Sequence, residues 1–172
     1  MTAKRIYVGK YLLAAVLLVA AAAAFVWRYG SNNNSPETQI RLLLTELAGN
    51  LSKAPQESTA TAMIKVKSIA DAFADPVDVA MDRYAFGKYD REKMLSSLGR
   101  YRALVGSAVV AVDDINIEVT GPGTASCSFS GKFSGTLKSG SSEKLIRDVD
   151  VELIAIDGNW KIKKLKFTKV LH

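Results

Sequence analysis

The chain has 172 residues, with 23 lysines and arginines against 17 acidic residues. Four of the basic residues flank the first apolar segment; without them 19 remain against 17, a net charge of about +2, far below the concentrated positive charge of a nucleic-acid-binding domain. The single cysteine, Cys127, excludes an internal disulfide, and the single histidine, His172, is the last residue. We therefore expect no Ser–His–Asp triad, no Cys–His pair and no histidine-rich zinc site.

An uncharged apolar run occupies residues 11–27 (YLLAAVLLVAAAAAFVW), with Lys4, Arg5 and Lys10 before it and Arg28 after it. About 17 residues is the lower limit for a helix that crosses a bilayer. A retained signal anchor is favoured, because the core of a cleaved signal peptide is usually only about 7–15 residues long. The small residues at positions 20–24 keep the alternative of a cleaved signal open.

These features predict a cytoplasmic N-terminus over residues 1–10, a transmembrane anchor over 11–27, a linker over 28–35 and one domain over 36–172. Basic residues are more numerous before the anchor than after it. This bias predicts that the domain is exported across the cytoplasmic (inner) membrane, into the periplasm if the organism is Gram-negative.

Three amphipathic helices are predicted in the first part of the domain. Ser35 followed by Pro36 is typical of a helix start, and apolar residues at helical spacing continue this helix to about residue 52. A second helix is predicted over about residues 56–74, ending at Asp75-Pro76 because proline disfavours helical geometry in the residue before it. Its predicted buried stripe consists of Met63, Val66, Ile69, Ala70 and Phe73.

The segment between the second and third helices reads as short strands. Residues 77–81 alternate as a strand does, and residues 82–89 are predicted to form a second short strand or a loop. Asp90 is then predicted to cap the third helix, which carries Tyr101 and Arg102.

Long strands dominate the chain from residue 107 onward. They are predicted over residues 109–120, 124–137, 145–156 and 160–171, separated by short turns rich in glycine, proline and serine. Asp113-Asp114 interrupts the alternation as a β-bulge would, and Gly131 and Gly135 mark places where a strand bends. Helices first and an antiparallel meander last indicate the α+β class.

This order of elements, together with the ending AIDGNWKIKKLKFTKV and its tight DGNW turn, resembles the nuclear transport factor 2-like domain of the cystatin-like superfamily. The resemblance covers residues 36–172. It implies N-terminal helices packed on a strongly curved antiparallel sheet that leaves a cone-like cavity. Isomerases, dehydratases and cyclases have this fold, and so do non-catalytic binding and assembly domains, so the fold alone does not choose a function.

The family's enzymes commonly place an aspartate or histidine deep in the cone, often with a tyrosine. Asp114 and Asp148 are the candidate acids here, but no spacing links them to a tyrosine in a known motif. Asp148 alternates with apolar residues, which predicts a solvated position, and Asp114 belongs to the predicted bulge. We therefore predict no catalytic residues.

Candidate ligand-binding residues are Tyr84, Arg100, Tyr101 and Asp114, since an arginine beside an aromatic ring can hold an anionic ligand. The chain has no glycine-rich phosphate loop, no CxxC and no calcium-loop spacing. No metal and no cofactor are predicted.

The favoured hypothesis is a membrane-tethered, non-catalytic binding or assembly module of the cell envelope. It would contact the membrane through residues 11–27 and a protein partner or a second copy through the sheet, without binding nucleic acid. The alternative is a small-molecule binder or an isomerase/lyase-type enzyme that uses the cone. A third possibility is a lipid or envelope-polymer contact through the lysine-rich last strand.

The interior of the cone discriminates between the first two hypotheses. A cone plugged by phenylalanine and leucine favours the module. An enclosed cavity that holds an aspartate and a tyrosine favours the enzyme.

Overall fold

The computed structural model describes residues 35–81 and 85–168. Within these residues, positions 39–81 and 85–168 belong to one compact unit. Within the two described ranges, no helix is long and apolar enough to cross a bilayer. The predicted anchor over residues 11–27 lies outside the described residues and stays a prediction, as does the linker before position 35.

The three helices are α1 (Pro36–Leu51), α2 (Thr59–Asp71) and α3 (Arg91–Leu104). The Ser35 hydroxyl accepts a hydrogen bond from the Thr38 amide at 3.2 Å, so α1 begins where the sequence predicts. The Asp90 carboxylate accepts one from the Lys93 amide at 2.8 Å and caps α3 in the same way. Both predicted helix starts are confirmed.

Helix α2 is shorter than predicted. It begins after Ser58, whose hydroxyl accepts a hydrogen bond from the Thr61 amide at 3.1 Å, and it ends at Asp71. Asp75-Pro76 therefore lies inside a strand and not at a helix end, and Met63 is 69% exposed instead of buried. The prediction is wrong here because the strand follows the helix almost directly, so apolar residues of both elements merged into one apparent stripe.

The six strands form one sheet in the order β2-β1-β6-β5-β4-β3. Strands β3 to β6 are the predicted antiparallel meander, but β1 runs parallel to β6, so the sheet is mixed and not purely antiparallel. The reason is that β1 and β2, which come between helices, add to the free side of the last strand. The bounds are β1 Phe73–Met81, β2 Ala85–Tyr89, β3 Val105–Gly121, β4 Thr124–Leu137, β5 Ser142–Ile156 and β6 Asn159–Thr168.

Alternation along the strands gives the sheet an inner apolar face and an outer polar face. On β5, Val149, Val151 and Leu153 are buried, whereas Asp148 and Asp150, which alternate with them, are exposed, as predicted. Burial of each such side chain contributes about 1.5–3 kcal/mol. The inner face joins the helices in one cluster that includes Ile40, Leu44, Ile69, Cys127, Val149, Val151, Leu153 and Ile162.

One extra residue in β3 makes the predicted bulge. Asp113 pairs with Ser130 and Asn116 with Ser128, so β3 advances one residue further than β4 over this interval. Asp114 takes a φ of 53°, in the left-handed region that aspartate tolerates better than most residues. Because of this extra residue, the side chains of β3 that face inward have even numbers before the bulge and odd numbers after it.

Candidate functional site

A cavity of about 470 Å³ lies between the helices and the inner face of the sheet. This volume is within the range of small-molecule sites. Most of its lining is aliphatic or aromatic. The apolar lining residues include Leu44, Leu47, Leu51, Met94, Leu98, Val110, Val112, Phe129, Phe133, Leu145, Val149, Leu165 and Phe167.

Helical and strand periodicity together bring these side chains to one space. On α1 the lining residues Leu44, Leu47 and Leu51 recur at helical spacing, so they share one face. On β4 the lining positions Phe129 and Phe133 alternate with outward-facing serines. One face each of α1 and α3, together with Ile69 of α2 and the sheet, thus surrounds the cavity without plugging it.

Gly131 contributes the space on β4 between the two phenylalanines. A Cβ at this position would meet Val149 Cγ2 at 3.5 Å and Phe129 Cε2 at 3.9 Å, which are ordinary contacts. The backbone there would therefore accept a side chain. A larger residue at position 131 would occupy part of the cavity.

Few polar side chains reach the lining. They are Tyr89, Ser97, Tyr101, Lys132 and Arg147, and the lining described in the structure contains no carboxylate and no imidazole. The Lys93 ammonium lies 4.0 Å from the centre of the Tyr89 ring. Within the described part of the chain, the Tyr89 hydroxyl has no hydrogen-bond partner.

The Tyr101 hydroxyl, by contrast, is committed to the backbone. It donates a hydrogen bond to the Leu51 carbonyl oxygen at 2.7 Å, at the end of α1. Burial raises the pKa of the Tyr101 hydroxyl, so this group stays protonated at neutral pH. Tyr101 therefore provides a ring to the cavity and holds α1 and α3 together.

A buried ion pair lies next to Tyr101. Arg102 Nη1 lies 2.8 Å from Glu57 Oε2, and the exposed fractions of the two side chains are 7% and 2%. Lys65 Nζ lies 2.8 Å from the other oxygen of Glu57. Arg102 also donates hydrogen bonds to the carbonyl oxygens of Ser52, at 3.2 Å, and of Asn50. The pair fixes the connection between α1 and α2 onto α3.

Lys53 fixes the same connection from the other side. Its ammonium donates hydrogen bonds to the carbonyl oxygens of Arg102 at 2.7 Å and Val105 at 2.5 Å, which end α3. Burial lowers the pKa of Lys53, with a smaller contribution from the positive charge of Lys138. Sequence reasoning missed Lys53 and Glu57, because single charged residues in a polar connection ordinarily indicate exposed positions.

The structure brings only part of the predicted site together. Tyr101 lines the cavity, whereas Arg100 and Asp114 are exposed and do not belong to its lining. Tyr84 lies outside the described residues. Asp148, the other candidate acid, is exposed on the outer face.

Arg147, which sequence reasoning passed over, does reach the cavity. It is half-buried on β5 between the lining residues Leu145 and Val149, and its Nη1 donates a hydrogen bond to the Ile146 carbonyl oxygen at 2.8 Å. A charged residue at an inward position of an alternating strand was the available signal. Lys132 differs, because its ammonium lies 3.0 Å from Asp113 Oδ2, and this hydrogen bond raises the pKa of Lys132.

Several solved structures have the same fold. A protein of Novosphingobium aromaticivorans described as a candidate scytalone dehydratase is 14% identical, with a TM-score of 0.64 over 77% of this chain and 83% of its own. A candidate aromatic ring hydroxylase of the same organism is 11% identical, with a TM-score of 0.66 over 79% and 90%. The hexachlorocyclohexane dehydrochlorinase LinA-type3 of Novosphingobium barchaimii is 14% identical, with a TM-score of 0.62 over 84% and 89%.

Neither a protein-family model nor a curated protein sequence matches the chain. Three helices on a six-stranded mixed sheet, with these structural neighbours, give residues 36–81 and 85–168 the nuclear transport factor 2-like fold. At identities this low, the likeness concerns the fold alone.

The hypothesis of a non-catalytic binding or assembly module is contradicted. The similar structures named above are described as enzymes, which favours the enzyme or ligand-binding alternative. The interior agrees with the ligand-binding part of that alternative, because phenylalanine and leucine side chains surround the cone without filling it. The aspartate expected beside a tyrosine in the enzyme is not among the described lining residues. The physical reason for the error is that the sequence shows which residues face inward but not how much space they leave between them.

Proposed function

We propose that the domain binds a small, largely apolar molecule in the cavity between its helices and its sheet. The observation that supports this most directly is the open volume of about 470 Å³ with its aliphatic and aromatic lining. Each Å² of apolar ligand surface removed from water there contributes roughly 25 cal/mol to binding. The Tyr89 and Ser97 hydroxyls and the Arg147 guanidinium are the polar lining groups that are neither tied to α1 nor paired with an acid in the described chain.

The experiment compares the full chain with a variant whose cavity is filled. Gly131→Leu places an isobutyl group beside Phe129 and Val149, where a Cβ meets only ordinary contacts. Ser134→Leu is the matched control, because Ser134 is an exposed outward position of the same strand. The three proteins are purified in one detergent and analysed by native mass spectrometry and by thermal shift against a library of apolar fragments.

We expect retained or stabilising small molecules with the natural chain and with Ser134→Leu, and their loss with Gly131→Leu at unchanged secondary structure. The proposal fails if Gly131→Leu retains the same molecules, or if the natural chain neither retains nor is stabilised by any of them.

An elimination or isomerisation reaction is the second candidate function. It is supported by the structural neighbours described as a dehydratase and a dehydrochlorinase. Where such a reaction develops negative charge on a substrate oxygen, a protonated Tyr101 would donate to it only by giving up its bond to Leu51, which makes Tyr89 the better-placed donor of the two. The described lining contains no carboxylate and no imidazole, so the proton removed from carbon would pass to water or to a basic group of the substrate.

The test of catalysis uses the molecule recovered from the cavity. It is incubated with substoichiometric protein and followed by mass spectrometry. Turnover that disappears in Gly131→Leu and persists in Ser134→Leu would establish catalysis. Recovery of the unchanged molecule from both would leave binding as the function.

We also propose that residues 11–27 hold this domain at the cytoplasmic membrane, with the domain on the exported side. The apolar run and the basic bias before it support this proposal. Alkaline extraction should leave the chain in the membrane fraction, and protease added to spheroplasts should digest the domain. Release by alkaline washing, or protection in spheroplasts, would overturn it.

A further inference from the structure

We propose that the ligand of the cavity is an amphipathic carboxylate, with its apolar body among the aromatic and aliphatic residues and its acid group on Arg147. This inference rests on the proposed binding function and adds the chemical class of the ligand. Arg147 is neither a predicted site residue nor part of the C-terminal segment that carries the sequence resemblance.

The charges of the cavity lining are unbalanced. The lining described in the structure contains two basic residues, Lys132 and Arg147, and no acid. The Lys132 ammonium is neutralised by Asp113 at 3.0 Å, on the exposed side of the sheet. No carboxylate of residues 35–81 or 85–168 lies within ion-pair distance of Arg147. One unneutralised positive charge therefore remains at the cavity.

The position of Arg147 directs this charge toward the cavity and not toward the outer face. It occupies an inward register of β5, with lining residues two positions before and two positions after it. Its partner on β4 is Gly131, which has no side chain to stand between the guanidinium and the cavity. Half-burial strengthens an ion pair formed at this place, because less water screens the charges.

The hydrogen-bonding capacity of the guanidinium fits a carboxylate. Only Nη1 has a described acceptor, the Ile146 carbonyl oxygen at 2.8 Å, so several N–H donors remain for a ligand. A planar carboxylate can accept two parallel hydrogen bonds from the guanidinium fork, which a hydroxyl cannot do. A cationic head group would instead be repelled.

The experiment measures binding of three probes that share a naphthalene body and differ only in the head group. They are naphthalene-2-carboxylate, 2-naphthylmethanol and 2-naphthylmethylammonium, titrated calorimetrically into the full chain in a non-ionic detergent. Partition into the detergent is removed by subtracting the signal of Gly131→Leu. Arg147→Met removes the charge and keeps an apolar stem, Arg147→Lys keeps the charge without the fork, and Lys144→Met is the control that removes an exposed charge from the same strand.

We expect the natural chain and Lys144→Met to bind the carboxylate about tenfold more tightly than the alcohol, the factor that one charge-assisted contact supplies. Arg147→Met should lose this preference while its affinity for the alcohol stays within about twofold, and Arg147→Lys should retain part of it. The unchanged alcohol affinity shows that Arg147→Met is folded.

The outcomes separate the two proposals. Equal binding of the carboxylate and the alcohol, lost in Gly131→Leu, overturns the acid-group assignment and leaves cavity binding intact. A preference for the carboxylate that survives Arg147→Met also overturns the assignment. If no probe binds more tightly to the natural chain than to Gly131→Leu, cavity binding itself is contradicted, and the acid-group assignment is contradicted with it.

Discussion

Replacing Arg102 by methionine tests the ion pair that holds the connection between α1 and α2. The substitution keeps an unbranched apolar stem but leaves Glu57, which is 2% exposed, without its guanidinium partner at 2.8 Å. It also removes the donors to the Ser52 and Asn50 carbonyl oxygens. Breaking a buried ion pair from one side typically costs about 3–5 kcal/mol.

The lower end of that range applies here, because Lys65 stays 2.8 Å from the Glu57 carboxylate. We expect Arg102→Met to lower the free energy of unfolding by about 3 kcal/mol. For a domain of this size, that loss lowers Tm by about 10 °C. Loss of the Arg102 contacts also loosens the end of α1, where the Leu51 carbonyl oxygen accepts the hydrogen bond of the Tyr101 hydroxyl. Because Tyr101 lines the cavity, we expect ligand affinity to fall together with stability.

The assay is urea unfolding of the full chain, followed by far-ultraviolet circular dichroism in one detergent. Arg91→Met is the matched control, since Arg91 lies 2.7 Å from Asp71 in a pair whose side chains are 44% and 47% exposed. Exposed pairs contribute only about 0.2–1 kcal/mol. If Arg102→Met lowers the free energy of unfolding no more than Arg91→Met does, burial does not strengthen the Glu57–Arg102 pair, and this prediction is wrong.

Three further predictions concern single positions of the core. Tyr101→Phe should cost about 1 kcal/mol in urea unfolding, because the Leu51 carbonyl loses its donor; a neutral result would mean that water replaces the hydroxyl without loss. Gly135→Ala should destabilise by about 1–3 kcal/mol, since its Cβ would lie 2.7 Å from a backbone oxygen, whereas Gly131→Ala, with contacts of 3.5 Å or more, should stay within about 0.5 kcal/mol; equal effects would contradict these geometries. Burial raises the pKa of the Cys127 thiol to about 11 from 9.0, so stability present below pH 9 should fall as pH rises from 9 to 11; Cys127→Ala should show a smaller fall, and an unchanged alkaline limb would show that the thiol does not contribute.

Much of the fold is readable from the sequence because local rules decide it. Ser35 and Asp90 mark helix starts through their side-chain oxygens, and strand β4 has the predicted bounds because turns rich in glycine and serine flank a clear alternation. The bulge at Asp114 is also visible locally, as a break in that alternation. The mixed character of the sheet is not, since the parallel contact of β1 with β6 joins segments about ninety residues apart.

The candidate site was less predictable, for a different physical reason. Tyr101 could be proposed from its place on a helix, but whether the cone is open depends on how side chains of α1, α3 and the sheet fill a common volume. Arg147 carries a sequence signal that was available, a charge at an inward register. Glu57 carries no such signal, because its burial depends on its ion pairs with Lys65 and Arg102, which lie on two different helices.

The bulge at Asp114 divides β3 into two stretches with separate tasks. Val110 and Val112, ahead of it, line the cavity, whereas Ile115 and Ile117, beyond it, are half-buried and pack against the core cluster. Natural variation or laboratory redesign can therefore change the cavity-lining half of this strand while the other half keeps its packing. Removing the one surplus residue would turn either half inside out, so the length of this segment is constrained more tightly than its composition.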